Sequence, residues 1–159
     1  MEFWSDRFHP NRIFTPHGRA STGLNRPAID IKGAYTFLDL QTGAEISGAL
    51  GLTFNARNRA TKYQSGEELH FEWALNQHFP FGLAAGIGGY FYQQVTKDYG
   101  SGDTIGSNIG RSVAIGPLLS YALTADTQEV DISGRWYHEF AVINGHRGDV
   151  IYATLSFRM

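Results

Sequence analysis

Apolar and polar residues alternate along most of this chain, and the period is two. Over about Ala28–Leu40, Ile29, Ile31, Tyr35 and Phe37 fall on one side and Asp30, Lys32 and Thr36 on the other. Over about Glu45–Asn55, Ile46, Leu50, Leu52 and Phe54 oppose Glu45, Ser47, Thr53 and Asn55. Over about Glu67–His78, Leu69, Phe71, Trp73 and Leu75 oppose Glu68, His70, Glu72 and Asn76. About Leu83–Val95 is Gly-rich and less regular, with Leu83, Ala85, Ile87 and Phe91 against Tyr90, Tyr92 and Gln94. About Arg111–Leu123 carries Val113, Ile115, Leu119 and Tyr121 on one face. Pro117 shares that face and has no N–H, so it is expected at a bulge or an unpaired position. About Glu129–Phe140 sets Val130, Ile132 and Trp136 against Asp131, Ser133, Arg135, Tyr137 and Glu139. The last segment alternates Ile151, Ala153, Leu155, Phe157 and Met159 with Tyr152, Thr154, Ser156 and Arg158. A period of two belongs to a β-strand whose faces meet different surroundings, so the spacing predicts seven strands.

The connections alternate as well. Gln41–Ala44, Phe79–Gly82 and Thr124–Gln128 are short, Ala56–Gly66 and Tyr99–Gly110 are long and polar, and Ile143–Gly148 is intermediate. Short turns at one end and longer loops at the other describe an up-and-down antiparallel meander. The final strand, apolar at every second position, resembles the terminal strand of bacterial outer-membrane barrels. In those barrels the short turns are periplasmic and the long loops extracellular. Phe37, Phe79, Phe81, Tyr121 and Phe157 all fall near a short turn or the last residue, and are expected to form one aromatic girdle. Phe54, Phe91 and Phe140 lie near the opposite ends. The expected fold is all-β: an antiparallel transmembrane outer-membrane β-barrel, incomplete at about seven strands.

Composition narrows the reading further. No run approaches the roughly 20 apolar residues of a transmembrane helix, which says nothing against a barrel. The net charge of −2 gives no argument for a nucleic-acid partner. Cysteine is absent, which removes disulfides and thiolate metal sites. Glycine (19), tyrosine (8) and phenylalanine (11) are plentiful, as in strands that are half polar. Residues 1–27, with His9–Pro10, Thr15–Pro16 and Asn25–Arg26–Pro27, read as a loop-like segment, with a short strand near Phe8–Phe14 as a poor alternative. Its start has no apolar stretch of the secretory type. Bacterial single-chain barrels have even strand numbers, so the odd count and the missing leader are both expected if residues 28–159 are the C-terminal strands of a longer barrel.

Several phrases go beyond generic alternation. Ala60–Thr61–Lys62–Tyr63–Gln64–Ser65–Gly66–Glu67–Glu68–Leu69–His70 is one. Gly89–Tyr90–Phe91–Tyr92–Gln93–Gln94–Val95, leading to Asp98–Tyr99–Gly100–Ser101–Gly102, is a second. Gly116–Pro117 and Arg135–Trp136–Tyr137–His138–Glu139–Phe140 complete the set. In this order, over about residues 27–159, they resemble the outer-membrane proteins of the meta-pathway of phenol degradation, a family similar in kind to the long-chain fatty-acid channels. The resemblance implies a barrel in the bacterial outer membrane that passes hydrophobic or aromatic small molecules. Its partners would be outer-membrane lipid, that solute and the barrel assembly machinery, with no nucleic acid and no cofactor.

The polar face supplies the candidate chemistry. Asp30, Lys32, His70, Glu72, Asn76, Gln94, Asp131, Arg135, Tyr137 and Glu139 are expected to line the lumen, as an ion-pair network, a solute path, or both. His70 and Glu72 stand two apart on one strand, but no third ligand has a fixed spacing, so no metal site is expected. His138 and Glu139 are adjacent and point to opposite faces, so they do not form a dyad. Ser133 and Ser156 share the polar face with potential acid/base partners, but barrel enzymes that cleave lipid point their Ser and His to lipid, where this chain has Ile, Leu and aromatics, so no catalytic set is expected. Gly100–Ser101–Gly102–Asp103 and the glycines up to Gly110 match no phosphate-loop spacing, and a mobile extracellular loop is expected there. Lys97, Asp98 and Asp103 could there hold a divalent cation or lipopolysaccharide. Two other readings fit the same alternation. A soluble lipocalin-like barrel would invert the faces, and a structural envelope barrel would pass no solute.

Overall fold

Alternation is realised as seven antiparallel strands in a computed structural model, which describes residues 25–103, 106, 109–125 and 128–158. They are β1 (Ala28–Leu38), β2 (Ala44–Asn55), β3 (Glu68–His78), β4 (Leu83–Gln94), β5 (Arg111–Ala125), β6 (Gln128–Glu139) and β7 (Asp149–Arg158). They form one sheet in chain order, β1-β2-β3-β4-β5-β6-β7, with no helix among the described residues. The two edges do not meet, so the sheet is not closed. The expected loop-like character of residues 1–27 and the alternative strand near Phe8–Phe14 lie almost wholly outside the described residues.

The strand ends differ from the expected ones by one or two residues, and local chemistry explains some of the shifts. β1 stops at Leu38 because the Asp39 carboxylate accepts from the Gln41 amide (2.9 Å) and the Thr42 hydroxyl (2.7 Å), which turns the chain. These donors hold the Asp39 carboxyl below its usual range. Gly43 completes the turn at φ 74°, and a Cβ there would lie 2.3 Å from the carbonyl oxygen of His78. Pro117 interrupts only one of its two ladders. It stays in register opposite Ile87 of β4, but the pairing with β6 skips from Ile115↔His138 to Leu118↔Arg135.

Register places like with like across all seven strands. One face stacks Ile31, Leu52 and Leu69 in a row, and elsewhere Ile132 beside Leu155. The opposite face carries Asp30, Lys32, Glu72, Tyr90, Arg135 and Glu139. This polar face lies inside the curl: a trough of about 700 Å³ is lined from Ala34 and Thr36 on β1 through Tyr90 to Tyr152 on β7. Small residues make that curvature possible. Ala114 of β5, between Tyr90 and Glu139 in the ladder, is only 2% exposed. The apolar face looks outward and is uncovered: Ile31 is 66% exposed and Leu155 56%. No large side chain is fully buried among the described residues, so this sheet has no interior core of its own.

Candidate solute path on the inner face

All ten expected lumen-lining residues fall on the inner face, where several meet partners on strands that are not neighbours. The Asp30 Oδ1 and His70 Nε2 atoms lie 2.9 Å apart, although their strands are not neighbours. The imidazole reaches across β2 above Gly51, where an added Cβ would sit 2.2 Å from the ring. Lys32 Nζ likewise donates to Glu72 Oε1 at 2.9 Å, again from β1 to β3. Tyr90 of β4 donates its hydroxyl to Glu139 of β6 at 2.7 Å, above Ala114. A small residue in the middle strand lets its two neighbours touch. His70 and Glu72 therefore turn to different partners rather than forming a pair.

The rest of the face divides by depth. Towards the short turns, Glu45 accepts from Asn76 (3.1 Å) and lies 2.7 Å from the Nε2 atom of His78. At mid-height the Tyr137 ring, 8% exposed, stands edge-on to Tyr90, with centroids 5.8 Å apart, and at 6.4 Å from Tyr152. Arg135 lies over the Tyr152 ring at 5.7 Å. Asp131 stands opposite Ser156, and Ser133 opposite Thr154. Glu139 also accepts from the Ser112 hydroxyl (2.6 Å) and the Gly148 amide (2.9 Å). Among the described residues, no three His, Asp or Glu side chains come together as a metal-holding cluster.

The long loops meet at the far rim. Gln64 and Tyr99 exchange backbone hydrogen bonds of 2.9 and 2.8 Å. Asp98 lies beneath, accepting from the Tyr63 hydroxyl (2.5 Å), the Gly66 amide (3.1 Å) and the Gln94 side chain (2.7 Å). Gln94 is thus buried as an anchor for the loops. The described part of the loop from Tyr99 is joined to its neighbour by the Gln64–Tyr99 pair, and Asp98, just before it, accepts from two donors of that neighbour. Burial, with the Asp98 carboxylate beside it, pushes the Tyr63 phenol above its usual range. The Thr96 hydroxyl donates to Glu67 and holds that carboxyl below the usual range.

This rim provides a first prediction. Asp98→Ala should speed amide exchange at Gln64 and Tyr99 by about tenfold or more, as three donors lose their acceptor. Unchanged exchange would mean that the backbone pairing stands alone. Acid should act in the same direction at Glu67. Its folded pKa lies below the ordinary 4.5, so its contribution is present above that pH and is lost as pH falls through the lowered value.

The outward face carries the expected aromatics. Phe37, Phe79, Phe81, Tyr121 and Phe157 are all exposed near the short-turn end, and Phe79 and Phe81 stack with centroids 5.6 Å apart. At the other end Trp136 donates its indole N–H to Asp149 (3.1 Å), whose carboxylate also meets His138 at 2.9 Å. His138 and Glu139 do lie on opposite faces. The interstrand partners were out of reach of spacing arguments. The signal that could have found them is the Gly or Ala opposite each long polar side chain, as Gly51 stands opposite His70.

Comparison with known proteins adds one finding. The model of the family described by the MetA-pathway of phenol degradation matches residues 13–155, in agreement with the resemblance carried by the motif phrases. No curated protein and no solved structure matches the chain.

Proposed function

The chain belongs to the family of the MetA-pathway of phenol degradation, and from that membership we propose that it forms wall strands of an outer-membrane β-barrel that passes hydrophobic or aromatic small molecules. One observation carries the reading. Seven strands present a mainly apolar face outward, with polar residues such as His138 and Asp149 towards the strand ends, while most of the charged side chains sit inside the curl. A soluble ligand-binding barrel needs the inverse arrangement. Strand lengths of 10 to 15 residues suit a tilted span, which takes about 9–11. The exposed aromatics towards both ends of the strands suit the two interfaces of a bilayer. Lipid is then the partner of the outer face, and the barrel assembly machinery delivers the protein to the bacterial outer membrane. Passage is passive, along the polar trough, with the tied loops at the mouth. The residues carry solute contacts and no catalytic role.

The absence of cysteine makes a direct test possible. Leu119 and Ser120 are neighbours on β5 that face outward and inward. In intact outer membranes, a water-soluble maleimide should label Ser120→Cys and leave Leu119→Cys unlabelled. Equal labelling of the two would sink the membrane reading.

A further inference from the structure

We propose that Arg135 and the tyrosines beside it form a subsite for an aromatic monoanion, a ring bearing one carboxylate. The inference rests on the reading of the inner face as a solute path and names a class of solute for it. On the inner face Lys32, His70 and His78 each meet a carboxylate at 2.7–2.9 Å. Arg135 meets none, and no carboxylate of a described residue lies within ion-pair distance of it. Its guanidinium carbon instead lies 5.7 Å from the ring centroid of Tyr152, directly opposite it in the ladder. No hydrogen bond to a described residue engages its N–H groups, and a guanidinium edge with its N–H fork unengaged can take a carboxylate in two hydrogen bonds.

The surroundings suit a ring attached to that carboxylate. Tyr90, Tyr137 and Tyr152 run across β4, β6 and β7 as a chain of edge-to-face contacts, all lining the trough. An incoming ring extends that chain with the same quadrupolar preference. Asp131 and Glu139 each stand four residues from Arg135 on the inner face of β6, and Glu139, two residues beyond Tyr137, is the one beside the tyrosines. Its oxygens are taken up by Tyr90, Ser112 and the Gly148 amide. It remains an anion beside the site, which disfavours a second negative charge on the solute.

The test is equilibrium dialysis of labelled benzoate against the full chain purified from outer membranes in detergent, with benzyl alcohol and cyclohexanecarboxylate as comparison probes. Benzoate should bind saturably and more tightly than either. Arg135→Gln should weaken benzoate at least about tenfold while leaving benzyl alcohol unchanged, because only the anion uses the guanidinium. Arg135→Lys should recover part of the loss, since it keeps the charge and forfeits the fork. Each variant is first checked for wild-type far-ultraviolet circular dichroism. Benzoate binding that ignores Arg135→Gln, or wild-type binding no tighter for benzoate than for benzyl alcohol, overturns the subsite. Those results leave the cysteine-labelling pattern, and so the membrane reading, intact. The reverse pair, equal labelling with Arg135-dependent benzoate binding, overturns the membrane reading and keeps the subsite.

Discussion

Leu155→Arg is expected to leave the protein largely missing from the assembled outer-membrane fraction, while Thr154→Arg assembles nearly as wild type. The two positions are adjacent on β7 and face opposite ways. Leu155 stands beside Ile132 on the uncovered outer face, two residues from Phe157 in the aromatic girdle. An arginine facing lipid costs about 2–4 kcal/mol at the bilayer midplane and less towards the interfaces, against the roughly 5–15 kcal/mol that holds a domain together. Thr154 stands opposite Ser133 on the inner face, where a long cation can reach water. The measurement is recovery of each variant in the heat-modifiable, membrane-extracted band. Equal recovery would reverse or abolish the assignment of faces.

Gly116→Ala should cost more than its single methyl suggests. Gly116 lies beside Pro117, where the β5–β6 ladder is already broken. A Cβ there would lie 1.7 Å from the carbonyl oxygen of Trp136 and 2.7 Å from its carbonyl carbon. Both are backbone atoms, so no side chain can swing aside and the strands must part. Overpacking of this kind costs about 1–3 kcal/mol or more. Urea unfolding should show a clearly lowered midpoint, and amides of Trp136 and Tyr137 should exchange faster. Gly33→Ala is the control. Nothing lies within 4 Å of its Cβ, and alanine in an open strand position is neutral or mildly favourable. Matching midpoints for the two variants would refute the close approach of β5 and β6.

The alternation carried most of the fold. A period of two is local, so it survives in one sequence without any knowledge of partners, and Leu155 and Thr154 could be assigned to faces from it alone. Short turns such as Phe79–Gly82 then fix register, since few hairpins fit them. Pro117 was legible for the same reason, because a missing N–H is a property of one residue. The inner-face contacts were not. His70 meets Asp30 forty positions away and across an intervening strand, which requires two registers to be right at once. The meeting of Gln64 with Tyr99 was hidden too, since neither loop carries a periodic signal and Asp98 has no fixed spacing from Tyr63. Arg135 was legible as an inner-face cation; its lack of a carboxylate was not, because that depends on what every neighbouring strand presents.

The contacts that pass over β2 and β5 have a mechanical consequence. Strands two apart are separated by about 9–10 Å along a flat sheet, beyond the reach of direct contact between short side chains. Asp30–His70, Lys32–Glu72 and Tyr90–Glu139 are therefore chords drawn across an arc. The length of each chord sets the local radius, as a bowstring sets the bend of its bow. The curl of the sheet is written in these side-chain lengths, with Gly51 and Ala114 as the clearance beneath the strings.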